Sequence, residues 1–253
     1  MASLFDVKHL NVSVGKKTLL DIDNLSLPSG QFVALIGANG AGKSTLLHSF
    51  LGNVQNCQVN GTIFCQNQAV GDVIKQGKIA WVGQHEQFNL PLTVLDYALL
   101  GTTPKLLWYQ TANSKDKQKA LDYLAQFELQ DLAQKRIQSL SGGEKQRLAI
   151  VRALMQNTEI LLFDEPSNHL DIKHERLLFA YLQNLVQNEQ KSVVVVLHSL
   201  SHAYQYASHV VALHKGKVLA AGHPSAVMND EILSQMYQTK IHRVATESGF
   251  LFY

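Results

Sequence analysis

The chain begins with two strand-like runs, residues 5–14 and 18–27, in which apolar and polar positions are interleaved. Gly15-Lys16-Lys17 separates the runs and is a turn signal, so this region predicts two strands joined by a turn. A second turn at Pro28-Ser29-Gly30 precedes residues 31–36, which are almost entirely apolar. Such a run is typical of a strand that is buried on both faces of a parallel sheet.

The pattern changes to helical spacing from about residue 87, with apolar stripes in residues 114–128 and 142–155. Beyond residue 157, strands and helices alternate again. The remaining predicted elements are a helix at 44–51, strands at 61–64, 78–82, 160–163 and 192–197, a helix at 176–186 and a hairpin of 209–214 with 217–221. The pattern therefore predicts one α/β domain, with a core of 1–86 and 158–253 and a helical insertion at 87–157.

Composition excludes several classes of protein. Charged residues make up 17% of the 253 residues, against about 25% in an average domain. The apolar fraction of 46% excludes a disordered chain, and no collagen-like or coiled-coil repeat is present. The net charge of +2 argues against a nucleic-acid partner, because no face is charged enough to follow a phosphate backbone. The two cysteines, Cys57 and Cys65, lack the spacing of a zinc site and are predicted to be reduced.

No apolar run approaches the 18 or more residues that a membrane-spanning helix needs. The first residues also lack the basic and apolar regions of a secretory signal. A soluble, cytosolic chain is the expectation.

Residues 37–45, Gly37-Ala38-Asn39-Gly40-Ala41-Gly42-Lys43-Ser44-Thr45, fit the pattern G-x-x-x-x-G-K-[ST] between a buried strand and a helix. Glycines allow backbone N–H groups to surround a phosphate, and the start of the helix presents its positive dipole end to the same anion. Lys43 is predicted to reach the β- and γ-phosphates, and Ser44 to bind Mg²⁺.

Two carboxylates follow another apolar strand, in Ile160-Leu161-Leu162-Phe163-Asp164-Glu165. Open α/β sheets bind ligands at the carboxyl ends of their strands. Asp164 is therefore predicted to hold the hydrated Mg²⁺, and Glu165 to polarise an attacking water.

The segment Leu140-Ser141-Gly142-Gly143-Glu144 resembles the signature motif of the ATP-binding cassette (ABC) family, and the two phosphate-site elements fit that family. Ser141 lies 23 residues before Asp164, as the family's order requires. Gln84 resembles the Q-loop glutamine and Ser167-Asn168-His169-Leu170-Asp171 the D-loop. His198, 33 residues after Glu165, resembles the switch histidine. The resemblance covers essentially the whole chain.

The resemblance implies an α/β fold: a P-loop NTPase (RecA-like) core, an N-terminal antiparallel β-subdomain and an inserted α-helical subdomain. It implies an ATPase that uses ATP and Mg²⁺, with Glu165, His198, Gln84 and Lys43 in catalysis and Ser44, Gln84 and Asp164 at the metal. The residues that it places at nucleotide are Gly37, Asn39, Gly40, Ala41, Gly42, Lys43, Ser44, Thr45, Ser141, Gly142, Gly143 and Asp171.

The signature residues Ser141, Gly142 and Gly143 begin a predicted helix and offer a second anion site. In the family this site serves the nucleotide of the opposite subunit. The resemblance therefore implies a head-to-tail pair of chains with two ATP molecules between them. It also implies that Gln84 senses Mg²⁺ and the attacking water, and that Asp171 couples the two sites.

Two positions depart from the family pattern. Many members carry an aromatic residue in the first strand that stacks on adenine, and Val14 stands at the matching position. The switch histidine is commonly followed by Asp, and Ser199 follows His198 here. The first departure weakens the expectation of adenine stacking, and the second changes how the histidine's loop is held.

Residues 88–101 and the run from Gly222 to Tyr237 resemble the importer ATPases for iron–siderophores, haem and vitamin B12. This resemblance implies permease subunits that contact residues 88–101, a periplasmic or surface binding protein as an indirect partner, and a peripheral location on the cytoplasmic face of the inner membrane.

Two alternatives remain open: the ATPase of another small-solute transporter, and a non-transport ABC ATPase such as one for Fe–S cluster assembly. The sequence does not identify the solute, since specificity in such importers lies in other chains.

Overall fold

The structure is a computed structural model that describes residues 3–54, 56–84, 88, 90–105, 112–246 and 249–252. Contacts within the chain divide it into two units. The first comprises Met1–Gln76 with Leu182–Tyr253, and the second comprises Gly77–Tyr181. The predicted helical insertion, 87–157, falls inside the second unit.

The helices and strands follow one another in chain order. The first are β1 (Ser3–Val14), β2 (Lys17–Pro28), β3 (Phe32–Gly37), α1 (Lys43–Phe50), β4 (Gln58–Cys65), β5 (Gln68–Ala69) and α2 (Val70–Lys75). The second unit begins with β6 (Ile79–Val82), α3 (Val94–Leu99), α4 (Ser114–Gln126), α5 (Gly142–Met155) and β7 (Ile160–Asp164), and has 3₁₀ turns at Leu100–Lys105, Gln130–Leu132 and Ile137–Ser139. The last are α6 (Ile172–Glu189), β8 (Ser192–Val196), α7 (Leu200–Tyr206), β9 (His209–His214), β10 (Lys217–Gly222), α8 (Pro224–Val227), α9 (Asp230–Tyr237), β11 (Arg243–Thr246) and β12 (Gly249–Phe252).

Two sheets form the body of the first unit. The N-terminal sheet has the order β2-β1-β4-β5 and is antiparallel. In the other, β3 lies between β8 and β9 and runs parallel to both, and β10 pairs antiparallel with β9. All six residues of β3 are buried, as the apolar run predicted.

The second unit pairs β6 with β7 in parallel, and α5 contacts β6. Every residue of β7 is buried, and most of α5 is buried as well. In the described part of the chain, no helix combines the length and apolarity needed to cross a lipid bilayer.

The predicted strands and the two insertion helices are confirmed to within a few residues. The helix predicted at 176–186 is longer and spans Ile172–Glu189, because Asp171 accepts the backbone N–H of His174 and so caps its first turn. The pattern did not predict the short helices α7, α8 and α9. Each of these begins with a side-chain cap, from Ser199, His223 and Asn229 respectively.

The side chains of Phe5 and Phe50 join the N-terminal sheet to α1. Their rings are stacked with centroids 4.2 Å apart, and both side chains are fully buried. The same sheet contributes Cys65, which is a buried free thiol, while Cys57 is a half-buried free thiol. Aromatic burial of this kind anchors α1, the helix that follows the glycine-rich loop.

We expect Phe50→Ala to lower the free energy of unfolding by about 3–5 kcal/mol, because the change removes the stacked ring and leaves a cavity. Urea denaturation of the purified chain measures the loss. The control is Val59→Ala in the same unit, where the side chain is 47% exposed, and the expected change there is within about 0.5 kcal/mol. Equal losses in the two variants would contradict the anchoring role.

Candidate functional site: a phosphate-binding loop and two carboxylate loops

The loop between β3 and α1 has the shape of a phosphate cradle. Gly42 precedes α1 with φ +102°, and a Cβ at that position would lie 2.6 Å from Leu20 Cδ2. Both the conformation and the space therefore require glycine. Gly42 makes no side-chain cap bond, and the first turn of α1 holds no acidic residue. The positive end of α1 is thus left for an anion.

Lys43 lies inside this loop and is only 5% exposed. Its Nζ donates to the carbonyl oxygens of Gly37 (2.9 Å) and Ala38 (3.2 Å). These bonds hold the ammonium group against the loop backbone. The sequence predicted that Lys43 reaches the β- and γ-phosphates. In the structure its ammonium group lies within the loop that would surround those phosphates.

The turn between β9 and β10 supports the loop from behind. Gly216 N–H donates to Ala41 O (3.0 Å), and Gly216 O accepts from Asp21 N–H (2.8 Å). Gly216 has φ +79°, and a Cβ there would lie 2.5 Å from Leu19 O. Sequence reasoning identified Lys215-Gly216 only as a hairpin turn. The turn supports the loop through hydrogen bonds of Gly216 to Ala41 and Asp21, which are distant in the sequence and are not predicted by a local pattern.

The chemistry of these residues fits a polyphosphate with a divalent cation. A cavity of about 200 Å³ adjoins the loop and is lined by Ala38, Asn39, Gly40, Ala41, His214, Lys215, Tyr237 and Gln238. A Cβ on Gly40 would meet no atom within 4 Å, so there is open space above the loop. Ser44 and Thr45, half-buried in the first turn of α1, add hydroxyl oxygens of the hard type that Mg²⁺ binds.

His198 leaves the same edge of the first unit's sheet as the loop. Leu35 of β3 pairs with Val196 of β8 in parallel register, and Leu197 N–H donates to Leu35 O (3.0 Å). The chain thus emerges from adjacent strand ends at Gly37 and at His198, whose side chain is exposed. Ser199 accepts the N–H of His202 (3.2 Å) and caps α7. This departure from the family pattern therefore has a structural function.

Gln84 and Glu165 meet in the second unit. Val82 of β6 pairs with Phe163 of β7 in parallel register, so the two strands deliver Gln84 and Glu165 to one edge. Gln84 Nε2 donates to Glu165 Oε2 (2.8 Å), and Asn168 Nδ2 donates to the same oxygen (2.8 Å). Asp164, the last residue of β7, is only 3% exposed.

The backbone of Glu165 is in the left-handed region, with φ +52°. Non-glycine residues rarely adopt this conformation, and it concentrates at sites where a side chain must be aimed. Asn168 was seen in the sequence only as part of the D-loop. Its amide helps to orient the carboxylate that is predicted to polarise water.

Ser141 begins α5 with a capping box. Its Oγ accepts the N–H of Glu144 (3.3 Å), and its own N–H donates to Glu144 Oε2 (2.7 Å). These hydrogen bonds from Ser141 lower the pKa of Glu144, so the carboxylate remains ionised well below neutral pH. Sequence reasoning overlooked this acidic neighbour, although Ser-x-x-Glu is the pattern of a capping box. The capping box thus fixes the Ser141 side chain at the first turn of the signature helix.

Asp171 lies beside the signature helix in the second unit. Its Oδ1 accepts the backbone N–H of His174 (2.9 Å), and this bond is the main cause of its lowered pKa. The loop before it approaches α5 closely: a Cβ on Gly143 would lie 2.8 Å from His169 O. The structure therefore brings Gly143 and the D-loop together, and only glycine fits at that contact.

Val14 is the last residue of β1 and pairs with Lys17 across the turn. Its side chain is 44% exposed. An aliphatic residue of this size offers no aromatic face for a base.

A family model described as ABC transporter matches residues 20–168. The chain belongs to the ABC transporter family. It is therefore the ATP-binding subunit of a transporter and hydrolyses ATP, and its fold is that of the P-loop NTPases, as predicted.

Among curated relatives, the petrobactin import ATP-binding protein FpuD of Bacillus anthracis is 33% identical, over 99% of this chain and 92% of that protein. The hemin import ATP-binding protein HmuV of Idiomarina loihiensis is 32% identical, over 98% of this chain and 96% of that protein.

Solved structures agree with these relatives. A chain described as part of a metal-chelate type ABC transporter in an inward-facing conformation superposes with a TM-score of 0.82 at 25% identity, over 99% of this chain and 96% of that one. The ATP-binding cassette MJ0796, in a dimeric post-hydrolysis state with ADP and Pi, gives a TM-score of 0.72 at 27% identity, over 87% of this chain and 99% of that one.

We expect weak discrimination between ATP and GTP, with dissociation constants within a few-fold, because Val14 provides no aromatic face. Val14→Tyr should tighten ATP binding by about five-fold, which corresponds to about 1 kcal/mol for one stacking contact. Fluorescence titration of the isolated chain with both nucleotides measures the effect. A strong ATP preference in the unmodified chain would show that another residue recognises the base.

Proposed function

We propose that the chain is the ATP-hydrolysing subunit of an importer that takes up a metal chelate, such as an iron–siderophore, haem or cobalamin, through separate permease subunits. The observation that carries this proposal is similarity along nearly the full length to ATPases of petrobactin and hemin import. The likeness to a metal-chelate type transporter supports the same cargo class.

The chemistry assigned to the site follows from its donors. Lys43 and the backbone N–H groups of Gly37, Asn39, Gly40, Ala41, Gly42, Ser44 and Thr45 bind the phosphates. Ser44, Gln84 and Asp164 hold Mg²⁺, which neutralises charge on the phosphates when bound. Glu165 orients and polarises the attacking water as general base, and His198 contacts the γ-phosphate.

A second copy of the chain completes each site. Ser141, Gly142 and Gly143 bind the nucleotide held by the opposite copy, and Asp171 couples the two sites. The dimeric cassette with ADP and Pi supports this arrangement. The exposed carboxylate of Asp171 is available to such a partner, and the capping box fixes Ser141 at the start of α5.

Residues 88–101 are the proposed contact with the permease. In this stretch Val94, Leu95, Tyr97 and Ala98 are buried, whereas Leu90 is 50% and Leu100 is 40% exposed. Leu92 is half-buried, and Asn89 lies outside the described residues. Two exposed leucines flanking a buried helix support a docking surface that is narrower than the whole segment.

We also propose the bounds of the two subdomains and the location of the chain. The nucleotide-binding core comprises 1–86 and 158–253, and the helical subdomain with the signature motif comprises 87–157. The chain works at the cytoplasmic face of the membrane as a peripheral subunit, with a periplasmic or surface binding protein as an indirect partner and no nucleic acid.

We expect Glu165→Gln to slow ATP hydrolysis by about 100-fold or more, because the variant keeps the shape of the side chain and loses the base. ATP binding should stay within a few-fold of that of the unmodified chain, and ATP should then drive stable dimers. The control is Glu159→Gln, the same chemical change at an exposed position before β7. Steady-state phosphate release and size-exclusion chromatography measure both properties; near-normal turnover would show that Glu165 is not the base.

We expect Leu90→Glu to abolish co-purification with the permease while ATP binding by the isolated chain is unchanged, because a charge is placed on an exposed apolar contact. Leu92→Glu should act in the same direction, and Val59→Glu, an exposed position in the other unit, should have no effect. Loss of ATP binding would show that the segment is core, and intact co-purification would place the contact elsewhere.

The cargo class is tested with the co-encoded permease and binding protein in liposomes. Stimulation of ATP hydrolysis by a ferric siderophore, haem or cobalamin supports the proposal. Stimulation only by a free metal ion or an unrelated small solute would assign the chain to another transporter class.

A further inference from the structure

A chain of side chains connects the signature helix to the D-loop in the second unit. Arg147 of α5 contacts His174 of α6, and His174 contacts Asp171. The three residues come from segments that the sequence does not link, since Arg147 and His174 are 27 positions apart. None of the assigned nucleotide or metal roles uses Arg147 or His174.

The hydrogen bonds determine which nitrogen of His174 carries the proton. Arg147 Nη1 lies 2.8 Å from His174 Nε2, and a guanidinium group only donates. Nε2 is therefore the acceptor, and the proton of the neutral ring is on Nδ1. His174 Nδ1 then donates to Asp171 Oδ1 (2.8 Å).

One oxygen of Asp171 is thereby held at two points. Oδ1 accepts from the ring Nδ1–H and from the backbone N–H of His174 (2.9 Å). In the described part of the chain, the hydrogen bonds of this carboxylate all go to Oδ1, and the side chain is 65% exposed. Oδ2 is thus presented outward, in an orientation set by the imidazole.

The Arg147 end of this chain is fixed by the protein interior. Arg147 is 9% exposed, and its Nη1 also donates to Phe127 O (2.8 Å). Burial lowers the pKa of Arg147, yet the guanidinium remains charged because its ordinary value is so high. Burying a cation such as Arg147 costs free energy unless the cation is hydrogen-bonded. The hydrogen bond to His174 is one of the contacts that offset this cost.

The other charged groups around His174 do not replace these contacts. Glu128 Oε2 lies 3.3 Å from Nε2, farther than Arg147, and Glu128 Oε1 is paired with Lys173 Nζ. Arg147 is therefore the nearer partner of Nε2.

We infer that His174 is a positioning residue that ties the Asp171 carboxylate to the signature helix through Arg147. Ser141 and Asp171 then face a partner copy as one rigid element, with the close contact of Gly143 and His169 as its second point of attachment. This inference rests on the proposed function, in which both residues act on the opposite copy.

Two variants of His174 each remove one side-chain contact, either the one to Arg147 or the one to Asp171. In His174→Asn, the side-chain amide takes the place of Nδ1 and donates to Asp171, but it does not reach Arg147. In His174→Gln, the amide oxygen takes the place of Nε2 and accepts from Arg147, but the link to Asp171 is lost. Arg176→Gln, an exposed change in the first turns of α6, is the matched control.

We expect both variants to lower kcat by about tenfold, because a misplaced coupling group weakens assembly of the site. The KM for ATP, ATP binding by the isolated chain and the thermal midpoint of unfolding should stay near those of Arg176→Gln. In the Glu165→Gln background, both variants should weaken ATP-driven dimers. Normal kcat in either variant, or a loss of kcat that parallels a loss of stability, would overturn the inference.

A measurement without ATP tests the geometry on its own. In the chain labelled with ¹⁵N-histidine, the His174 signal, assigned by its loss in His174→Gln, should show the Nδ1–H tautomer. The tautomer should change in Arg147→Met, where the donor to Nε2 is removed. An Nε2–H tautomer in the unmodified chain would overturn the inference even if hydrolysis is normal, whereas an absence of hydrolysis with the expected tautomer would count against the proposed function alone.

Discussion

Parallel strand pairing is the constraint on which the site depends. In the first unit, the register of β3 with β8 brings the phosphate-binding loop and His198 out of adjacent strand ends. In the second unit, the register of β6 with β7 does the same for Gln84 and Glu165. A slip of one residue would turn every side chain to the opposite face. Every residue of β3 and β7 is buried, so a slip would also move the loop residues that follow each strand away from the edge that they share.

A second constraint is the close approach of backbone to backbone at glycines. Gly42 and Gly216 allow the loop to rest against β2, and Gly143 allows α5 to lie against the D-loop. At each place a methyl group would collide with a backbone or core atom. These contacts make the loops rigid parts of the fold, which suits groups that must be aimed at a ligand before it arrives.

The sequence predicted what is encoded locally. Local residue patterns predicted the strands, the glycine-rich loop and the helix after it. The resemblance to the family predicted how these elements are arranged. The pairing of Arg147 with His174 was not predictable, because it joins two helices across 27 residues with no shared periodicity. The cap of Ser141 by Glu144 was predictable from Ser-x-x-Glu, but its effect on the charge at the signature helix needed the observed hydrogen bonds. The short helices α7, α8 and α9 were missed because they are too brief to show a period.

The hydrogen bonds of Lys43 to its own loop have a consequence for the thermodynamics of nucleotide binding. The ammonium group is already immobilised by the carbonyl oxygens of Gly37 and Ala38. Folding has therefore met the entropic cost of ordering this flexible side chain, a cost of about 0.5–1.5 kcal/mol in a typical interface. An arriving phosphate exchanges one set of acceptors for another instead of ordering a mobile chain. Association at this loop is accordingly a substitution reaction at a fixed cation, with a favourable entropy relative to a site whose lysine is free in solvent.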